Sequence, residues 1–344
     1  MRYIVIGAGA IGGSIGGRLF ENGHDVVLVA RGAHLQALRA DGLRFTTPEG
    51  TRHLSVPLAD GPDAVGLRPD DVLVLAVKTQ HSAAALEAWT GRPVADGSTA
   101  GASLPVLCAQ NGVENERQAL RRFRRVHGVC VVLPAAFLRP GAVTAKCGPY
   151  TGTLILGPYP SPLPLGGGVP AGEDELLRRI AADLEDSKFL APVVPDVMRW
   201  KYGKLLSNLI QTVEALCGPV HDDTAVTALV ERAGAEGVAV LRAAGIDHAD
   251  PTEMAQLRQG KVEPQPVPDG EWSLGSAWQS LTRRTGSVEA DYINGEIVLL
   301  GRLHGVPTPV NETLLRAVHS CAENRRPPGG SSASGLLELA GHLP

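Results

Sequence analysis

The sequence predicts an α/β domain built on a doubly wound parallel sheet, followed by an all-helical domain. Three observations carry that reading. In the first, an apolar run, Tyr3 to Ile6, leads into Gly7-Ala8-Gly9-Ala10-Ile11-Gly12, then through small residues and an Asn22-Gly23 turn into a second apolar run, Val26 to Val29. The second is Val72 to Val77, which holds no polar residue, as expected of a strand covered by helices on both faces of a parallel sheet. The third is a change of pattern near Asp196: strand-like and helix-like runs alternate before it, and the strand-like runs stop after it. These place a Rossmann-like domain at residues 1–194, a helical domain at 195–326 and a flexible tail at 327–344.

The opening stretch reads as strand, glycine turn, helix, strand, and each glycine has a separate task. Gly7 makes the tight turn off the strand, Gly9 removes a Cβ so that backbone N–H groups can approach a pyrophosphate, and Gly12 lets the helix lie close on the sheet. The anion then sits at a helix N-terminus, where unpaired N–H groups and the macrodipole favour negative charge. Gly7, Ala8, Gly9, Ala10, Ile11 and Gly12 are therefore the expected dinucleotide turn. The end of the second strand says which dinucleotide. An NAD-preferring site usually offers Asp or Glu there to the ribose 2′-hydroxyl, whereas this chain reads Val29-Ala30-Arg31-Gly32. A carboxylate that would repel a 2′-phosphate is missing and a guanidinium that can pair with one is present, so NADPH is expected over NADH. The alternative for Arg31 is a solvated surface arginine.

Further along, Ala33 to Ala40 is helix-like, and Gly42 to Phe45 with Arg52 to Val56 suggests a hairpin around Pro48-Glu49-Gly50. Helix-like Ser82 to Trp89, strand-like Pro105 to Ala109, a helix from Glu114 to Phe123 and a strand from Val126 to Leu133 complete the alternation. Ala142 to Lys146 and Thr153 to Leu156 read as late antiparallel additions, and Pro158 to Gly172 as a surface loop. Leu176, Leu177, Ile180 and Leu184 share one face of a helix at Glu173 to Asp186, and Asp196 can N-cap the helix after it. Val197 to Leu216, Thr224 to Ala244, Glu289 to His304 and Pro309 to Glu323 carry helical periodicity, with Gly260 to Gly270 a proline-rich connector. In the tail past Arg326, Leu336 to Leu343 could dock on the body.

Composition excludes several classes. Net charge is −4 over 344 residues, with basic residues dispersed, which does not suit nucleic-acid binding. No apolar run approaches the roughly twenty residues of a membrane span, and no charged leader precedes the first apolar segment. Five cysteines at wide spacings without C-x-x-C fit reduced thiols in a cytoplasmic protein, and the ten histidines show no close ligand pair, so no metal is expected. A helical second domain with exposed apolar faces is compatible with a homodimer.

Ligands of such sheets bind outside the carboxyl ends of the strands. Lys78 follows one strand and Asn111 another, so both are expected over the cofactor crevice; a solvated loop lysine and an ordinary Asn-Gly turn are the alternatives. A helical domain must then complete the site. Lys204, Asn208 and Thr212 are spaced four apart on one predicted helix and would stack along one face. A carbonyl accepting hydride gains negative charge on oxygen, and lysine, with an ordinary pKa near 10.4, can polarise and protonate it. By spacing alone, these residues are unremarkable and an exposed lysine row is the reading they favour.

Lys204-Leu205-Leu206-Ser207-Asn208, Lys78 after a buried strand, Gln110-Asn111-Gly112, and Glu289-Ala290-Asp291-Tyr292-Ile293-Asn294-Gly295 through Gly305-Val306-Pro307-Thr308-Pro309-Val310-Asn311 together resemble the ketopantoate reductase (2-dehydropantoate 2-reductase) family, from Met1 to about Glu323. The resemblance implies a helical second domain like the C-terminal domain of 6-phosphogluconate dehydrogenase. It also implies reduction of 2-dehydropantoate to (R)-pantoate with NADPH, on the route to pantothenate and coenzyme A. It makes Lys204 the general acid, places Asn111 and Lys78 near the nicotinamide, gives Glu289 a catalytic part in fixing the reacting complex, and has Asn208 and Ser276 hold substrate. Taken alone, Glu289 is also a plain helix-start carboxylate and Ser276 a loop serine. Two departures touch the substrate: Thr212 stands where the family has a second asparagine, and Val288 where it commonly has threonine. A substrate hydroxyl losing an amide partner loses roughly 0.5–1.5 kcal/mol net. A different branched 2-oxo acid, or a non-catalytic NADPH sensor, are the rival readings.

Overall fold

Strand β1 (Arg2–Ile6) alternates its side chains between two cores, and this alternation explains why it is apolar throughout. Tyr3 and Val5 join the cluster with Leu19, Leu28 and Val74, while Ile4 and Ile6 join the one with Leu73, Leu75 and Trp89. Both faces are thus removed from water, as a central parallel strand requires. The computed structural model describes residues 1–161, 173–220, 223–268 and 273–342.

The chain divides into two compact units, Met1–Lys201 with Thr252–Glu271, and Tyr202–Pro251 with Trp272–Pro344. In the first, β1 is followed by α1 (Ala10–Glu21), β2 (Asp25–Val29), α2 (Gly32–Asp41), β3 (Leu43–Thr47), β4 (Gly50–Leu54), β5 (Leu58–Ala59), β6 (Asp71–Leu75) and α3 (Ser82–Thr90). Then come α4 (Ala100–Ser103), β7 (Pro105–Cys108), α5 (Asn115–Leu120), β8 (Arg125–Val132), β9 (Ala135–Ala136), β10 (Ala142–Ala145), β11 (Cys147–Pro149), β12 (Gly152–Tyr159), α6 (Glu173–Asp186) and β13 (Phe189–Leu190). The large sheet has the order β13-β12-β8-β7-β6-β1-β2-β5. All its pairings are parallel except β12 against β8. The strand order reverses at β1, with β2 on one side and β6 on the other, which is the switch point where such sheets open a crevice. At the opposite end of these strands Arg2 grips Asp71 with two hydrogen bonds of 2.7 Å, closing β1 onto β6.

The expected hairpin is β3 and β4, antiparallel with Thr47 opposite Gly50. The placement of Ala142–Ala145 is corrected. It leaves the large sheet and lies parallel to β3 in a separate four-stranded sheet, β4-β3-β10-β9, because the hairpin offers it an open edge. Residues 162–172, most of the expected surface loop, lie outside the described residues, and β12 occupies the start of that stretch.

Helix α7 (Val197–Asn208) begins as expected: Asp196 Oδ1 accepts from the N–H groups of Met198 and Arg199 at 3.1 and 3.3 Å. The division between the units falls within it, later than residue 195. The helical unit continues with α8 (Ile210–Cys217) and α9 (Thr224–Ala243), which Asp223 caps. Next along the chain is α10 (Pro251–Arg258) and then β14 (Val262–Pro264), which pairs with β11, so the proline-rich stretch is partly a strand of the first unit. Back in the second unit are α11 (Ser276–Thr282), α12 (Asn294–His304), α13 (Pro309–Glu323) and α14 (Ala333–Gly341) around Val213, Leu229, Leu314 and Val318.

The flexible-tail reading is corrected by α14, whereas the docking expected of Leu336 onward is present. Ser332 Oγ accepts from the N–H of Gly335 at 3.2 Å as an N-cap, and Leu336 and Ala340 are buried in this core. The chain leading to it is held by Gly329 N–H to Ala215 O at 3.0 Å and Ser331 N–H to Leu216 O at 2.8 Å. Among the described residues no helix is long and apolar enough to cross a membrane, and no side-chain cluster could hold a metal ion.

Candidate functional site

The glycine turn is built as its spacing demands. Gly7 has φ +104°, a conformation that side chains resist, and an added Cβ would fall 2.9 Å from both Val77 Cγ1 and Val77 N. A Cβ on Gly12 would lie 1.9 Å from Gly7 O, so α1 could not start where it does. At Gly9, by contrast, nothing lies within 4 Å of the Cβ position. That open space adjoins the start of α1, which has no acidic residue in its first turn and no side-chain cap on its N–H groups. A pyrophosphate fits these features.

Around the turn stand the other expected cofactor residues of this unit. Arg31, exposed, is the N-cap residue of α2 at the end of β2, and its side chain makes no hydrogen bond or ion pair among the described residues. Lys78 follows β6 and Asn111 follows β7, and these strands are neighbours, Leu75 opposite Cys108. Side chains bolt the two loops together. Asn115 Nδ2 donates to Asn111 O at 3.0 Å and to Thr79 Oγ1 at 3.1 Å, and Ser82 Oγ donates to Asn115 Oδ1 at 2.7 Å. Gln110 Nε2 donates to Val77 O and Ser82 Oγ, each at 2.7 Å.

Two supports of this region were invisible in the sequence. His34, in the first turn of α2, has Nε2 2.7 Å from Ala8 O and Nδ1 2.9 Å from the N–H of Gly141. A backbone N–H only donates, so Nδ1 accepts and Nε2–H donates to Ala8 O, the neutral tautomer. The imidazole thereby ties the glycine turn to the turn before β10. The second support is Lys201, which is buried, pairs with the buried carboxylate of Glu116 and donates to Gln110 O at 3.2 Å. Burial pushes the Glu116 carboxyl above its ordinary range, against the pull of Lys201. Neither Lys201 nor Glu116 carries a local signal of its partner.

In the helical unit the expected stripe is corrected. The predicted helix from Val197 to Leu216 is interrupted: α7 ends at Asn208 and α8 begins at Ile210. At the join Leu209 N–H donates to Leu206 O and Thr212 N–H to Leu209 O, both at 3.3 Å and both three residues back. Such a tightened turn places residues i and i+3 over one another. Gln211 therefore comes to Asn208, its Nε2 donating to Asn208 Oδ1 at 2.9 Å, and Thr212 turns inward. Buried Thr212 donates its hydroxyl proton to Asn294 Oδ1, Asn294 Nδ2 donates to Asn311 Oδ1 at 3.0 Å, and Asn311 Nδ2 donates to Glu236 Oε2 at 2.8 Å. This chain joins α8, α12, α13 and α9, so the Thr212 hydroxyl serves helix packing and does not extend a Lys204–Asn208 face.

Lys204 is half-buried on α7 and Asn208 is buried. Ser276 opens α11 and donates both its N–H and its hydroxyl to Gln211 Oε1, at 3.1 Å each. Asn208 and Ser276 are thus brought together through Gln211, a residue that helical spacing does not single out. Glu289 is buried, but it precedes a 3-10 turn, Ala290–Tyr292, and α12 starts only at Asn294, so the helix expected from 289 is shorter.

A family model described as ketopantoate reductase PanE/ApbA matches residues 3–161, and its C-terminal counterpart matches 196–322. The chain is 25% identical over 316 residues to a 2-dehydropantoate 2-reductase of Pyrococcus horikoshii, covering 90% of this chain and 94% of that one. It is similar to the crystal structure of a PanE/ApbA family ketopantoate reductase from Ralstonia eutropha, with a TM-score of 0.73, 26% identity and coverage of 95% of this chain and 100% of that one. D-mandelate dehydrogenase, in a ternary structure with NADH and anilino(oxo)acetate, shares the fold, with a TM-score of 0.74, 20% identity and coverage of 94% and 99%. With both units matched in order, the chain belongs to the ketopantoate reductase family of oxidoreductases.

Proposed function

We propose that this chain uses NADPH to reduce the ketone of a 2-oxo acid to the 2-hydroxy acid, with 2-dehydropantoate, giving (R)-pantoate, as its leading substrate. The observation that carries the reading is a built glycine turn, open at Gly9, in a chain that both family models match and that retains Lys204-Leu205-Leu206-Ser207-Asn208. Residues 7–12 would hold the pyrophosphate, Arg31 the 2′-phosphate, and Lys78 with Asn111 the nicotinamide end. The chemistry the cofactor supplies when bound is hydride for the carbonyl carbon. Lys204 is assigned to the other half of the reaction. Its ammonium polarises the carbonyl oxygen and gives it a proton, a task that lysine performs at neutral pH without special tuning. Glu289 holds the reacting groups, and Asn208 and Ser276 hold the substrate.

Following NADPH absorbance across a panel of 2-oxo acids tests this reading. Steady oxidation with 2-dehydropantoate supports it in full, and turnover of another branched 2-oxo acid alone changes the substrate. The packing role of Thr212 and the buried Val288 favour keeping that second substrate class in the panel. Turnover of none would leave the rival of an NADPH-binding sensor.

The cofactor assignment has its own test. Arg31→Ala removes a charge-assisted contact worth about 1.5–3 kcal/mol, so the NADPH over NADH ratio of kcat/KM should fall about 10- to 100-fold. An unchanged ratio would make Arg31 a bystander.

A further inference from the structure

The hydrogen bonds joining Ser276, Gln211 and Asn208 have a direction, and the direction dictates what Asn208 can offer a ligand. The backbone N–H of Ser276 can only donate, and it meets Gln211 at 3.1 Å, so the atom it meets is the amide oxygen. The Ser276 hydroxyl reaches the same oxygen at 3.1 Å. The Gln211 nitrogen must then face Asn208, and the atom it meets at 2.9 Å must be the Asn208 oxygen. The other half of the Asn208 amide, Nδ2, only donates.

Three features keep this arrangement from turning over. Asn208 is 1% exposed, so water is not at hand to satisfy a reversed amide. The tightened join between α7 and α8 brings Gln211 to Asn208. An added Cβ on Gly275 would lie 2.7 Å from Gln211 Cγ, Cδ and Oε1, so the glycine is what lets the start of α11 close on this side chain.

We propose that Gln211 is a specificity-determining positioning residue: by anchoring on Ser276 it holds Asn208 as a donor, matched to a carboxylate oxygen of the substrate. The substrate class is thereby narrowed to molecules that present an accepting oxygen at that point, an acid in preference to its carboxamide. This proposal rests on the reductase reading, in which Asn208 touches substrate.

The test measures Kd for a 2-oxo acid and for its 2-oxo amide on the NADP⁺-loaded enzyme, with turnover of both, in wild type, Gln211→Met and Gln211→Glu. Methionine keeps the bulk, carries no charge and frees Asn208 to turn, so the acid-over-amide ratio should fall about 5- to 10-fold, the scale of one misdirected hydrogen bond. Glutamate still accepts from Ser276 but cannot donate to Asn208 Oδ1, so the amide of Asn208 reverses and the ratio falls further. Unchanged NADPH affinity accompanies both results. If both ligands weaken by one factor, or the ratio stays as in wild type, Gln211 is only structural and the proposal is overturned while the reductase reading stands. If wild type neither binds nor turns over any 2-oxo acid, both fall together.

Discussion

Lys204→Ala is expected to lower kcat by about 10²- to 10⁴-fold, the range contributed by a positioned general acid. NADPH affinity should be largely intact, because the glycine turn, Arg31 and the loops after β6 and β7 belong to the other unit and keep their own supports. Single-turnover oxidation of NADPH with saturating 2-oxo acid, beside a direct binding titration, separates the two quantities. A loss confined to KM would instead make Lys204 a substrate-binding cation, and a nearly active variant would remove it from the mechanism. The change itself is tolerable to the helix, since alanine is the best helix former and Lys204 is only half-buried.

Lys201→Met should be damaging for a different reason. It strips the partner from Glu116, whose carboxylate is buried, and the loss of stability is expected at about 3–5 kcal/mol in urea unfolding. Its pH dependence identifies the cause. The Glu116 carboxyl is already raised by burial, and without Lys201 it rises further. A carboxyl with a raised folded-state pKa binds more protons folded than unfolded, so stability falls as pH climbs from the ordinary carboxylate range towards the folded pKa. The deficit should therefore be small in acid, grow as pH rises, and level off above the folded pKa. Lys201→Met combined with Glu116→Gln removes both charges and should recover most of the loss. A deficit that is the same at every pH would point to packing. The single variant also frees Gln110 O, which Lys201 holds at 3.2 Å beside Asn111, so a weaker hold on NADPH should accompany it.

What was legible in the sequence was what local geometry dictates. The glycine turn follows from steric limits within six residues, and β1 and β6 from burial of both faces. Asp196 was readable as a cap because its acceptor lies two and three residues from its donors. What was not legible depended on partners far along the chain. Ala142–Ala145 has a strand composition but nothing in it names β3 as its neighbour. Ser331-Ser332 has the composition of a flexible tail, yet Ser332 caps a helix whose Leu336 and Ala340 find an apolar surface made by α9 and α13. The spacing of Lys204, Asn208 and Thr212 assumed an unbroken helix, and a single tightened turn moved Gln211 into the place of Thr212. Lys201, Glu116 and His34 each act through an atom at least 26 positions away, beyond the reach of any periodicity.

Strand β11 takes its partner β14 from a segment about 115 residues downstream, so the first unit is assembled from two separated pieces of polypeptide. Translation must therefore pass through about fifty residues of the helical unit before that last edge can be zipped. No single proteolytic nick can release the nucleotide-binding half intact, because a fragment ending at Lys201 would present a bare strand edge at Cys147–Pro149 and forfeit the Glu253 carboxylate that clasps Arg199.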